Sequence, residues 1–275
     1  MSATLIALTL AAALLHASWN ALLRNGADRL WSMTVMCVAV AVASVSIAVL
    51  LPAPAPASWV YAVLSAVLHV GYNLFLVRSY RSGDLGQTYP IARGCSPVLI
   101  TLAAWLFAGE KIAPTSLIGI AAVSSGILWL ASDGRRLAAR NLPYAVGTGC
   151  FIAAYSVTDG IGVRLSGAPM AYTAWMCALW GVLMPVVYIG LRGARSLFMR
   201  RPGRALAAVG GLVSLLAYGM VIYAMDSAPM GAVSALRETS VVFAALIGYF
   251  FLGETLTLRK LAACVLIASG TIILG

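Results

Sequence analysis

The chain has 275 residues, 62% of them hydrophobic and only 9% charged, with a formal net charge of +10. Soluble domains carry about 25% charged residues, so there is too little polar surface here for a water-soluble globule, and a mean hydropathy of +0.96 marks a polytopic membrane protein. The positive surplus does not mark a nucleic-acid surface, because no basic stretch carries interleaved aromatics; short arginine-rich loops beside anionic headgroups account for it.

A helix that spans a bilayer takes about 20 apolar residues. Ten such runs follow in order: 3–23, 31–51, 58–80, 86–107, 114–131, 142–163, 170–191, 205–225, 230–252 and 257–274. Turn-like breaks separate them, among them Asn25-Gly26, the prolines Pro52, Pro54 and Pro56, Ser82-Gly83-Asp84, Asp133-Gly134 and the basic stretch 192–204. None alternates in polarity as barrel strands do, so the expected fold is an all-α integral membrane protein of ten transmembrane helices. No basic region precedes the first run, which continues to Trp19 and reads as a membrane helix rather than a cleaved signal. Cys37, Cys95, Cys150, Cys177 and Cys264 lie inside apolar runs without a CxxC pair. They read as small core residues, not as a disulfide frame or a metal site, and no cofactor is expected.

Charge sets the expected orientation. Of the 18 Lys and Arg, 14 lie in connections after the odd-numbered runs, and only Lys111 and Arg164 in connections after the even-numbered ones. The basic side should be cytoplasmic, which places both termini on the outer face. The other two, Arg93 and Arg237, lie inside the fourth and ninth runs.

Those two arginines mark a duplication. Residues 93–130 superpose on 237–274 without gaps, with 11 of 38 positions identical, including Arg93/Arg237, Ser96/Ser240, Gly109/Gly253, Glu110/Glu254, Ser125/Ser269 and Gly126/Gly270. The unit is then five helices, and an odd number turns the second unit upside down in the membrane. Residues 1–132 form the first expected unit, 133–141 a basic connecting loop and 142–275 the second. Inverted repeats of this kind are a transporter signature, with the binding site near the midplane where the units meet.

The run 223–274, YAMDSAPMGAVSALRETSVVFAALIGYFFLGETLTLRKLAACVLIASGTIIL, resembles the second EamA domain of the drug/metabolite transporter superfamily, and 80–130 resembles the first. The Gly-Glu after the fourth helix of each unit and the Ser-Gly in its last helix are the most specific part. The resemblance implies a ten-helix transporter of the bacterial inner membrane, with cargo ranging from amino acids to nucleotide sugars and drugs. It also implies termini inside, against the charge count.

Charged groups in a bilayer cost at least a few kcal/mol, about 2.5–3.5 on insertion scales, so they should face a cavity or a partner. His16, Trp19 and Asn20 share one face of the first run, and His69, Tyr72 and Asn73 repeat that spacing in the third. Tyr89 and Arg93 stand one turn apart in the fourth run, between Pro90 and Pro97, and Tyr155 and Asp159 one turn apart in the sixth. The ninth carries Arg237 and Glu238, the seventh Trp175 and Trp180, and the eighth Tyr218. Convergence of these faces would line one cavity, and His16, Trp19, Asn20, His69, Tyr72, Asn73, Tyr89, Arg93, Tyr155, Asp159, Trp175, Arg237 and Glu238 are the candidate binding residues.

Two readings of the arginines stand side by side. In one, Arg237 pairs with Asp159 or Glu238, and Arg93 satisfies carbonyls freed by the prolines. In the other, one or both hold a carboxylate, phosphate or phosphonate. Asp159 and Glu238 read first as salt-bridge partners and second as carriers of a coupling proton. The histidines read as structural or as titrating near neutral pH. Glu110 and Glu254 read as charges marking tight turns. Trp31, Trp59 and Trp129, near run ends, read as interfacial anchors. Small residues such as Ala122, Gly126, Ala263 and Gly270 in the fifth and tenth runs should let those helices approach closely as scaffold.

The expected function is secondary transport, in the exporting direction, of a small polar or anionic metabolite such as an amino acid or an organic phosphate or phosphonate. Expected partners are that substrate, the bilayer and a coupling proton, with the chain as monomer or homodimer. A lipid flippase is the alternative. An intramembrane enzyme is not expected, since no HExxH motif or nucleophile–base pair stands out.

Overall fold

The computed structural model describes the backbone of residues 1–24, 28–81, 85–131, 142–199, 201–252 and 257–275, and the side chains of these stretches apart from 21–24, 78–81, 85–90, 131, 142, 251 and 252. Among them there is no strand. Every expected run lies on helix: α1 Ala3–Arg24, α2 Arg29–Ala48, α3 Trp59–Arg81, α4 Leu85–Ala108, α5 Pro114–Ala131, α6 Leu142–Ser166, α7 Pro169–Arg192, α9 Arg204–Ser227, α10 Met230–Glu238 with α11 Ser240–Leu252, and α12 Leu258–Leu274. Eight of the runs are long and apolar enough to cross a membrane, and 114–130 is a shorter apolar helix. The basic stretch 192–204 holds an extra short helix, α8 Ala194–Phe198.

One expected helix is two. The ninth run breaks at Thr239, whose hydroxyl and amide both turn back onto the Leu236 carbonyl at 2.7 and 3.2 Å. Hydropathy carries no signal for this break, because a threonine bonding its own backbone is as acceptable in an apolar run as one that does not. α4, with Pro90 and Pro97, is continuous instead.

Helix pairing follows the duplication. Among the main packing pairs, α1 packs on α9 as α6 does on α3; α2 packs on α9 as α7 does on α3; α4 packs on α6 as α10 and α11 do on α1. The pairs α2–α7, α4–α10 and α5–α12 map onto themselves when the halves are exchanged. These self-paired contacts form the central seam, and glycines set its spacing. A Cβ on Gly270 of α12 would stand 2.8 Å from the Gly119 carbonyl of α5, and one on Gly126 would stand 3.1 Å from the Ala263 carbonyl. Gly181 of α7 brings the helix against the Cys37 carbonyl of α2 in the same way. Without a hydrophobic drive between helices in lipid, such close backbone approach is what holds them. The outer faces carry exposed Val42, Val60, Phe107, Leu258 and Ile272, a belt suited to lipid tails.

The bundle is tied at both ends. At the end where α2 begins, Asp28 caps α2 through the Trp31 amide (3.2 Å) and accepts from Arg192 (2.5 Å) and Arg201 (2.7 Å). Burial raises the Asp28 pKa, but the amide bond and the two guanidiniums outweigh it and hold the carboxyl below its ordinary 3.8. Trp31, expected as an interfacial anchor, is buried here, with Nε1 donating to the Leu197 carbonyl of α8 (3.3 Å) and Arg201 over its ring. At the other end, Glu110 accepts from Arg164 (2.5 Å) and from the Met230 amide (3.1 Å), the first amide of α10. Arg164 also donates to the Met225 and Ala228 carbonyls (3.0 and 2.8 Å). Glu110 is thus a cap and a tie between helices, more than a turn marker; Glu254 lies outside the described residues.

Gly270→Val should cost about 1–3 kcal/mol of stability by overpacking the α5–α12 seam. Gly190→Val, where a Cβ meets nothing within 4 Å, should stay within about 0.5 kcal/mol. Detergent-solubilised unfolding of both variants checks the pair; equal stabilities would mean the seam is not close-packed.

Candidate functional site

Arg93 lies in the middle of α4, and Arg237 and Glu238 are the last two residues of α10. Because α4 and α10 pack on each other at the seam, the three charges meet. Arg93 Nε pairs with Glu238 Oε2. Its Nη1 donates to His16 Nε2 at 2.7 Å and its Nη2 to Ser240 Oγ at 2.9 Å. Arg237 Nη2 pairs with Glu238 Oε1 at 3.1 Å, and Ser96 Oγ donates to the same oxygen at 3.5 Å. The three charged side chains are at most 3% exposed. The break at Thr239 serves this geometry: it ends α10 on Glu238 and starts α11 on Ser240, each a partner of Arg93.

The cluster is symmetric in its cations and asymmetric in its anion. Arg93 and Ser96 correspond to Arg237 and Ser240, but the residue corresponding to Glu238 is Gly94. One carboxylate therefore serves two guanidiniums, leaving one positive charge in excess within the cluster. Arg237 Nε is buried with no hydrogen-bond partner among the described residues.

Beside the cluster lies a cavity of about 50 Å³, lined by His16, Trp19, Met33, Met36, Cys37, Val40, His69, Tyr72, Asn73, Tyr155, Trp180, Gly211, Ser214, Tyr218 and Arg237. That is room for one or two waters, taking roughly 30 Å³ each, and too little for an organic substrate. Its walls are rings. His69 stacks on Tyr155 (centroids 4.0 Å apart, 30°) and meets Trp180 at 5.1 Å and Tyr218 edge-on at 5.2 Å. Tyr72 meets Tyr155 edge-on at 5.5 Å, and Trp19 stands edge-on to His16 at 4.9 Å. His69 Nδ1 lies 2.9 Å from the Ser65 carbonyl, which fixes its proton on Nδ1.

The model for the EamA-like transporter family matches residues 3–132 and, a second time, 141–275. The chain belongs to the EamA-like transporter family. It is accordingly a membrane transporter of the drug/metabolite transporter superfamily, carrying two EamA repeats, and the family is one of transporters rather than enzymes. No curated protein matches the sequence. A solved crystal structure aligns over 99% of this chain and 96% of its own with a TM-score of 0.77 and 18% identity, a likeness that shows the fold alone.

In this EamA transporter the expected site residues divide. His16, Trp19, His69, Tyr72, Asn73, Tyr155 and Arg237 line the cavity, while Arg93 and Glu238 form the cluster at its edge. Arg93 takes the side chains of Glu238, His16 and Ser240 as partners. Asp159 makes no ion pair among the described residues; it is fully buried and accepts from Tyr172 (3.0 Å) and Tyr218 (2.5 Å). Asn20 donates to the His16 carbonyl on its own helix and is not in the lining. Trp175 stands against Trp59, with ring centroids 5.2 Å apart, away from the cavity. The Tyr89 side chain lies outside the described residues. Sequence reasoning missed α2, which supplies Met33, Met36, Cys37 and Val40. No polar signal marked them, although Asn73 Nδ2 reaches Cys37 Sγ at 3.8 Å. A separate apolar groove of about 560 Å³ opens to the lipid side between α3, α4 and α6, with Leu64, Leu102 and Phe107 on its rim.

Removing one partner of a buried ion pair costs about 3–5 kcal/mol because the other charge is left bare. Glu238→Gln, which strands two guanidiniums, should lose at least that much in unfolding measurements. A variant as stable as the parent would mean that Glu238 is not the shared counter-ion.

Proposed function

We propose that this EamA protein is a secondary transporter that exports a small polar or anionic metabolite, such as an amino acid or an organic phosphate or phosphonate. The observation that carries this reading is the buried Arg93–Glu238–Arg237 cluster with one unmatched positive charge beside an aromatic cavity. Residues 1–132 and 142–275 act as two inverted five-helix halves, ten spans in all, that part alternately at the two membrane faces. Bidentate hydrogen bonds from Arg237 to a carboxylate or phosphate fix the cargo, and rings of Trp19, Tyr72, Tyr155 and Tyr218 bind its flat or apolar part. Asp159, which accepts from Tyr172 and Tyr218 and makes no ion pair among the described residues, is the better placed of the two acids to exchange a coupling proton; Glu238 is engaged by both arginines. We place the protein in the bacterial inner membrane with its termini on the outer face, as monomer or homodimer.

A second reading, a lipid or lipid-phosphate flippase, is favoured by the apolar groove between α3, α4 and α6. It requires the groove to join the charged site. α6 separates them, since its Ala154 and Thr158 face the groove while Tyr155 faces the cavity.

A thermal-shift screen of purified protein against amino acids, organic phosphates, phosphonates and purines should find a stabilising ligand. Arg237→Gln should lower flux of that ligand in proteoliposomes by about tenfold or more, the loss expected for a charge-assisted hydrogen bond to an anion. Undiminished flux in that variant would sink the anion role. On a cysteine-free background, Arg195→Cys should react with impermeant maleimide only from the cytoplasmic side and Lys111→Cys only from outside; the reverse pattern would invert the topology.

A further inference from the structure

The cavity's hydrogen-bonding inventory is one-sided. Two of its lining residues hold buried N–H donors that no group among the described residues accepts: Arg237 Nε and Trp180 Nε1. Arg237 is 2% exposed and Trp180 8%. An orphaned buried donor costs about 1–3 kcal/mol until something accepts from it, so an occupant with acceptor oxygens is favoured. The lining contains no aspartate or glutamate. Glu238 is taken up by both arginines, and Asp159, fully buried behind Tyr172 and Tyr218, is outside the lining. The acceptors that remain are neutral: His69 Nε2, Asn73, Ser214 and tyrosine hydroxyls.

Charge matching narrows the class. One carboxylate among two guanidiniums leaves a single positive charge, which one monoanion balances and a phosphate dianion overshoots. An ammonium group would have to sit beside Arg237 with no carboxylate to receive it, and an unpaired buried charge is the most expensive occupant of such a site. The rings alone would suit a quaternary ammonium cage, but the guanidinium in the same wall opposes a cation. Resting on the transporter reading above, we propose that the site selects a flat or aromatic monocarboxylate lacking an ammonium group, its carboxylate taken by Arg237 and the Trp180 N–H and its body by the rings of Trp19, Tyr72, Tyr155 and Tyr218. A cavity of about 50 Å³ admits it only when the surrounding helices part.

Isothermal titration of the purified full chain with 3-phenylpropanoate, phenylalanine, phenethylamine and inorganic phosphate tests the class. Phenylalanine is phenylpropanoate with an added ammonium, so the pair isolates that group. Phenylpropanoate should bind about tenfold or more tighter than phenylalanine, the cost of an unpaired ammonium in a buried site, with phenethylamine weakest. Equal or tighter binding of phenylalanine, a preference for phenethylamine or phosphate, or no binding of any of the four overturns the proposal. Trp180→Phe keeps a ring and removes the orphaned N–H, so it should weaken phenylpropanoate several-fold without lowering the melting temperature of the empty protein; unaltered affinity removes Trp180 from the site. Proteoliposome flux separates this claim from the one beneath it. Flux of phenylalanine in preference to phenylpropanoate defeats the selectivity and leaves transport standing, whereas selective binding of phenylpropanoate without its flux defeats transport and leaves the site.

Discussion

Two guanidiniums and one carboxylate are held out of water at the seam between the EamA repeats, and the rest of the structure is arranged around making that tolerable. Each charge taken from water costs several kcal/mol even after relaxation, and only close pairing with further hydrogen bonds offsets it. Glu238 therefore receives Arg93, Arg237 and Ser96 together, and Arg93 also takes His16 and Ser240. These partners come from α1, α4, α10 and α11, so the cluster requires both halves to be docked. The helix break at Thr239 is part of that requirement, since residues two apart in an unbroken α-helix, as 238 and 240 would be, do not face the same partner.

Much of this was legible in the residues. Arginine inside an apolar run is rare enough to stand out, and two of them in equivalent positions mark the seam in the sequence itself. The helix runs were legible for the same reason: hydropathy reads length well. Which face of each helix points inward was not. In a soluble helix the apolar stripe identifies the buried face, but in lipid both faces are apolar and the period vanishes. That is why α2, lining the cavity with Met33, Met36, Cys37 and Val40, passed unnoticed, and why Trp175 looked like a cavity residue when it stands against Trp59. Trp31 misled in the opposite direction, because a tryptophan near a helix end fits a lipid interface as well as it fits a buried bond to the Leu197 carbonyl.

Duplication explains why the site is one-sided. Were the halves identical, each arginine would have its own acid and serine. The residue corresponding to Glu238 is Gly94, and a Cβ there would already meet Leu128 at 2.9 Å. The first repeat thus uses that position for packing and the second for charge. Arg93 meets Glu238, His16 and Ser240, while Arg237 Nε has no hydrogen-bond partner among the described residues and Arg237 has a place in the cavity wall. The two equivalent arginines thus differ in surroundings, and the proposed ligand would take the donor that Arg237 keeps.

The ties at the two ends differ from the centre in cost. Asp28 with Arg192 and Arg201, and Glu110 with Arg164, are partly solvated, their side chains between 12 and 30% exposed. Pairs of that kind contribute about 0–1 kcal/mol each, and water replaces their partners when they separate. Separating the central cluster would strand a charge at about 3–5 kcal/mol. If the halves rock as proposed, the ends are where they open, in alternation, and the cluster is the point they turn about. A ligand carboxylate at Arg237 adds the one negative charge this pivot lacks, so occupancy would tighten the centre without obstructing either end.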